Sequence, residues 1–205
     1  SSLATSSPIA SRITSLTRLR SAHPALATGA QITRYGADSV FASSRIDATS
    51  RREYVVAFNT ADAAASASFT TSTPSSGWTA LLGASPATTN SSGTMSITIP
   101  ARSSVVLRAD TTLPVPAAPT VSLKASKDMI SGTYRLAATV PGGDPASVTF
   151  VVRRKGSATW SVVGTDDSRP FRVFLPAAKG STVEVAAVVR DSAGQVASST
   201  PMRMS

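Results

Sequence analysis

From residue 31 onward, apolar and polar residues alternate with a period of two, in short runs. Residues 31–35, 40–46, 54–59, 65–70, 78–82, 95–99 and 104–108 each read as a strand, separated by clusters of Gly, Asp, Asn, Ser and Pro. Ahead of them the period is different. Ser7 before Pro8 is a helix start, a capping hydroxyl followed by proline at the first helical position. Ile9, Ile13, Leu16 and Leu19 follow at steps of four, three and three, which puts them on an arc of about 120° of a helix. Arg18 and Arg20 complement the helix dipole, and Pro24 followed by Gly29 is expected to stop the helix.

The stretch DTTLPVPAAPT, residues 110–120, holds three prolines, each of which removes a ladder donor and stiffens the chain, so it reads as a semi-rigid linker. A second series follows at 120–125, 133–140, 147–154, 160–163, 171–175, 182–190 and 195–199, with turns at Pro141-Gly142-Gly143 and Ala193-Gly194. About seven short strands in about ninety residues is the pattern of an immunoglobulin-like or fibronectin type III-like sandwich. The expected fold is mainly β: a short N-terminal helix, then two tandem antiparallel β-sandwiches. The expected divisions are 1–28, 29–110, a linker at 111–119, and 120–205.

Composition agrees with strands, because only 15% of the 205 residues are charged and Ser, Thr, Val and Ile recur throughout. The absence of cysteine excludes disulfides and thiolate metal sites. No apolar run approaches membrane-spanning length, so no membrane insertion is expected. The first residues show neither a starting Met nor a signal pattern, and the chain is expected to be part of a longer precursor. The net charge of +9 raises the question of nucleic acid, but it is spread evenly, with 9 Lys or Arg against 5 acids up to Leu113 and 11 against 6 beyond. The densest run, Arg153-Arg154-Lys155, sits before a Gly156-Ser157 turn without a recognition helix or interleaved aromatics, and no nucleic-acid partner is expected.

A helix ending in LRSAHPALATG, then AQITRYGADSVFASSRID, EYVVAFNT, GWTALLG and a closing IPARSSVVLRAD occur in order from Ser7 to about Asp110. Together they resemble the end of an α-amylase family (glycoside hydrolase family 13) enzyme, in which the last barrel helix runs into His-Pro-Ala-Leu and a C-terminal β-sandwich follows. The second half, with GTDDSRPFRVFL and VVRDSAGQVASS, is similar to the fibronectin or Ig-like modules of secreted bacterial hydrolases. The resemblance implies that residues 1–28 are the last helix of a catalytic barrel otherwise absent from this sequence, carried on the same polypeptide. It also implies a secreted bacterial parent acting on α-glucans of the starch or glycogen type.

The family's acid and nucleophile carboxylates would lie on barrel strands upstream of Ser1, so none is carried over, and catalysis is not expected of this chain. Glycoside hydrolysis needs two carboxylates flanking one bond, whereas the only glutamates, Glu53 and Glu184, fall in different halves. His23, the sole histidine, stands at a helix exit with no Gly-x-Ser-x-Gly nearby and reads as a capping or packing residue. Asp166-Asp167 after Gly164 offers calcium ligands but more simply decorates a turn, and neither a metal nor a cofactor is expected. Sugar rings stack on aromatic faces, which makes Trp78 and Trp160 the candidate carbohydrate-binding residues. Each is either such a platform or a sandwich core anchor, and the core reading weighs more in an alternating strand. The expected role is an accessory one that supports, spaces or targets the barrel. The alternative is an independent module that binds polysaccharide or a cell-surface partner.

Overall fold

The computed structural model describes residues 7–128, 130, 132–144, 146–176 and 182–204. The chain divides into two compact units, Ser1–Val115 and Pro116–Ser205.

The first unit begins with α1 (Pro8–Ala22) and α2 (Ala25–Thr28). The Ser7 hydroxyl accepts the Ile9 N–H at 3.2 Å, and the His23 N–H closes α1 on the Leu19 carbonyl at 3.0 Å. Pro24 does not end helical structure as the sequence suggests: with φ of −56° it is already in helical geometry, and it caps the single turn α2. Strands β1 (Ala30–Ala37), β2 (Val40–Ile46), β3 (Glu53–Asn59), β4 (Ala65–Thr70), β5 (Gly77–Leu82), β6 (Ala87–Thr88), β7 (Thr94–Ile99) and β8 (Ser103–Ala109) follow. They form a six-stranded antiparallel sheet in the order β1-β2-β3-β8-β5-β6 and a two-stranded sheet of β4 and β7. The sandwich core joins inward residues of the first sheet, Ala42, Val55, Ala57, Trp78, Val105 and Leu107, to Ala67, Phe69, Met95, Ile97 and Ile99 of the second.

Strict alternation fails where the helices lie. Tyr54 and Val106 point away from the sandwich core yet are buried, because they pack with Ala25 and Leu26 of α2 and with Leu19 of α1 in a second apolar cluster. Each such side chain, fully buried, contributes about 1.5–3 kcal/mol. The approach is close enough that a Cβ on Gly29 would stand 2.7 Å from the Ala25 carbonyl oxygen and 2.8 Å from that of Ile46. Glycine is therefore required for α2 to reach the sheet.

The second unit comprises β9 (Ser122–Lys127), β10 (Thr133–Thr139), β11 (Ala146–Arg154), β12 (Ser161–Asp166), β13 (Arg172–Pro176), β14 (Val183–Asp191), β15 (Val196–Ser198) and β16 (Met202–Met204). One sheet runs β13-β10-β9 and the other β12-β11-β14-β15, with β16 also paired to β14, all antiparallel. Leu123, Leu136 and Phe171 meet Val148, Phe150, Val185, Ala187 and Val189 between them. β16 escapes the sequence reading because it is three residues long, yet its alternation buries Met204 and half-buries Met202. The chain is thus mainly β, with a short N-terminal helix and tandem antiparallel sandwiches.

Candidate functional site

The outer face of the six-stranded sheet carries the features that a sandwich does not need for its own core. Helix α1 lies over it by one edge only. Leu16 and Leu19 are half-buried, and Arg12 Nη2 donates to Ser104 Oγ of β8 at 3.3 Å. At about 100° per residue, Arg12, Leu16, Leu19 and His23 share the stripe that meets the sheet, and Ile9 and Ile13 lie toward the other edge of the apolar arc. Those two remain 72% and 59% exposed. Below the first turns of α1 an open groove of about 380 Å³ is lined by Arg12, Phe58, Asn59, Thr60, Arg102, Ser103 and Ser104. Phe58 is 46% exposed, and Phe41 stands directly opposite it in the β2–β3 register, also exposed. The sequence signal for these two phenylalanines is parity: Val40, Ala42, Val55 and Ala57 point inward, so Phe41 and Phe58 must point out.

The charge on this face is positive. Burial and the charge of Arg20 hold Arg45 below the ordinary guanidinium value, and Arg45 Nη1 donates to the Gly29 carbonyl at 3.2 Å. His23 forms the C-cap of α1, its Nδ1 3.3 Å from Tyr54 Oη and its ring centroid 5.5 Å from the tyrosine's. Burial, reinforced by the charge of Arg108, lowers its pKa below 6.5, so the imidazole is kept neutral as a packing group.

Glu53, by contrast, is structural. It is fully buried and accepts from Arg34 Nη2 at 2.8 Å, from Thr73 Oγ1 at 2.8 Å, from the Ser72 N–H at 2.9 Å, and from Ser44 Oγ. Every one of its oxygens is occupied by a donor. Glu184 belongs to the other unit, where Arg153 and Arg203 flank it at 2.8 and 3.5 Å, and the Arg153 hydrogen bond lowers its pKa. Asp166 accepts the Ser168 N–H on Oδ1 at 3.1 Å and the Arg172 N–H on Oδ2 at 2.9 Å, the geometry of a side-chain-capped turn. Among the described residues, no group of three or more His, Asp or Glu side chains is placed to hold a metal ion.

The two tryptophans part company. Trp78 is 1% exposed, an inward residue of β5 whose Nε1 reaches Thr89 Oγ1 at 3.4 Å. As a sugar platform it is corrected to a core anchor, because strand parity turns its ring into the sandwich. Trp160 precedes β12 rather than opening it, is half-buried, and carries the Arg153 guanidinium 4.4 Å from its ring centroid. One face of that ring is therefore occupied by a cation.

Two antiparallel sandwiches, the first bearing a helix and exposed apolar side chains, define the class of the fold. The comparisons place the chain. The chain is 41% identical over 204 residues, 95% of its length, to an α-amylase from Streptomyces lividans, and is thus related to the C-terminal region of an α-amylase family enzyme. It spans 22% of that relative's length. No family model matches the chain. A γ-CGTase structure from alkalophilic Bacillus clarkii resembles it at 14% identity and a TM-score of 0.46, covering 100% of this chain and 43% of that one. Fibronectin(III)-like modules of Clostridium thermocellum CbhA resemble it at 19% identity and a TM-score of 0.32, covering 76% of this chain and 84% of that one. At such scores neither structural likeness carries weight.

Proposed function

We propose that this chain is the non-catalytic C-terminal accessory region of a secreted bacterial α-amylase-like glycoside hydrolase acting on α-glucans. In this reading residues 1–28 complete the catalytic barrel and residues 29–110 form the amylase-type C-terminal sandwich that supports it. Residues 111–119 are a linker, and residues 120–205 form an appended Ig-like or fibronectin III-like module that spaces or targets the enzyme.

The observation that carries the reading is the divided face of α1. Its Leu19 edge is covered by the chain's own sheet, while Ile9 and Ile13 stay in solvent, as do Phe41 and Phe58, paired with each other on β2 and β3. Large apolar side chains grouped this way mark a surface for another body. The α-amylase relative is several times longer than this chain, which makes the catalytic domain of the same polypeptide the partner in question.

The test joins the chain to the rest of its polypeptide and follows thermal inactivation of starch hydrolysis. Ile13→Asp together with Phe58→Asp should speed inactivation of the joined protein while leaving the melting of the 205-residue chain almost unchanged. Inactivation unaffected by both substitutions, or a joined protein without activity on starch, overturns the reading.

A further inference from the structure

The outward face of the three-stranded sheet in the second unit has a composition that packing does not explain. Inward positions on β9, β10 and β13 are Leu123, Ala125, Tyr134, Leu136, Ala138, Val173 and Leu175. The outward positions are Ser122, Lys124 and Ser126 on β9, Thr133, Arg135, Ala137 and Thr139 on β10, and Arg172, Phe174 and Pro176 on β13. None of these ten is an acid. Lys124, Arg135 and Arg172 are all exposed, and Phe174 is 63% exposed.

Register brings the three cations together. Ala137 pairs with Lys124 on one side and Arg172 on the other, and Arg135 pairs with Ser126 and Phe174. Arg135 is therefore diagonal to both of the other cations, about 7–8 Å from each along the backbone. Of the acids near this group in sequence, Asp128 accepts the Ile130 N–H on Oδ1 at 2.9 Å, and Asp166 accepts the Ser168 and Arg172 backbone N–H groups. Cations on edge strands serve to block strand addition, which suffices for Lys124 on β9 and Arg172 on β13. It does not account for Arg135, which is on the central strand β10.

We infer that this sheet face binds an acidic polysaccharide. Three cations on a sheet face whose outward strand positions carry no acid favour a chain with regularly repeated anionic groups. Phe174, directly opposite Arg135, offers an apolar plane for the C–H face of a sugar ring. The serine and threonine hydroxyls around it suit a hydroxyl-bearing polymer. Single-stranded nucleic acid is a poorer match, since it is gripped by a succession of stacked aromatics and this face has one. The inference stands apart from the docking role of α1, which belongs to the other unit.

The test is retention of the whole chain in affinity gels holding polygalacturonate, with amylopectin and single-stranded DNA in parallel. The wild-type chain should be retained on polygalacturonate, progressively less as salt rises, because exposed charges are screened. The triple substitution Lys124→Ser, Arg135→Ser, Arg172→Ser should weaken retention at least tenfold, and Phe174→Ala several-fold. A charge-matched control, Arg18→Ser, Arg154→Ser, Lys155→Ser, should retain within about twofold of wild type. Equal loss in the two triple variants reduces the effect to net charge and overturns the inference. So does an absence of retention at low salt, or equal retention on DNA that Phe174→Ala leaves unchanged. Arg135→Ser alone gives an independent reading should the triple variant unfold, and retention unaffected by it is equally fatal.

Discussion

Arg34 Nη2 lies 2.8 Å from Glu53 Oε1, joining β1 to β3 inside the first sandwich. Arg34 reaches that position because it is the extra residue of a bulge: Thr33 pairs with Ser43 and Tyr35 with Ala42, leaving Arg34 unpaired between them. The bulge turns a cation toward the buried Glu53 carboxylate. Replacing one member strands the other without its charge partner in a dry site. Glu53→Gln or Arg34→Met should each cost about 3–5 kcal/mol in urea unfolding of the first unit. A cost below about 1 kcal/mol, the range of exposed pairs, would show that the network is open to water.

His23 makes the helix–sheet contact sensitive to acid. Its pKa is lowered by burial and by Arg108, so the folded state binds fewer protons than the unfolded chain once pH falls toward 6.5. Stability rises with pH wherever the unfolded state holds more protons, so docking of α1 weakens as pH drops through 6.5 and toward the lower folded value. Amide exchange from Ile13 to Ala22 should accelerate more between pH 7.5 and 5 in the wild type than in His23→Gln, after correction for intrinsic rates. Identical pH profiles would remove His23 from the contact.

The two edges of α1 should behave differently within this chain. Leu19→Asp places a charge in the cluster with Leu26, Tyr54 and Val106, and should lower the melting temperature of the first unit without touching the second. Ile9→Asp acts on an exposed position and should change stability by less than about 0.5 kcal/mol. Calorimetry that resolves two transitions reads both variants, and equal effects would contradict the divided face.

Tryptophan fluorescence separates the core anchor from the half-buried ring. In Trp160→Phe the remaining emission comes from Trp78 and should be blue-shifted and closed to iodide, reflecting its full burial. Trp78→Ala should cost about 3–5 kcal/mol, as large aromatic truncations in cores do. Trp160→Ala should cost much less, because its half-buried ring leaves no large cavity in the sandwich core. Iodide quenching of Trp78 as strong as that of Trp160 would reverse the assignment.

Local pattern determined the elements. The serine and proline at positions 7 and 8 start α1, period-two runs give the strands, and glycine-containing turns close several of them, because these signals act over a few neighbouring residues. The stretch from LRSAHPALATG to IPARSSVVLRAD was enough to show the relationship to an α-amylase. Parity alone also marks Phe41 and Phe58 as outward, although the place of Phe58 in the Arg12 groove depends on how the helix lies. What lay beyond the sequence were relations across distance. The Arg34 bulge appears only once β1 is registered against β2, and the burial of Tyr54 and Val106 on the outer face only once α2 settles there. Trp78 could not be told from a platform until the second sheet closed over it, and Lys124, Arg135 and Arg172 are separated in sequence but become neighbours through strand pairing. Backbone hydrogen bonding specifies which residues alternate, but only the packing of one layer on another decides which alternating face meets protein and which meets water.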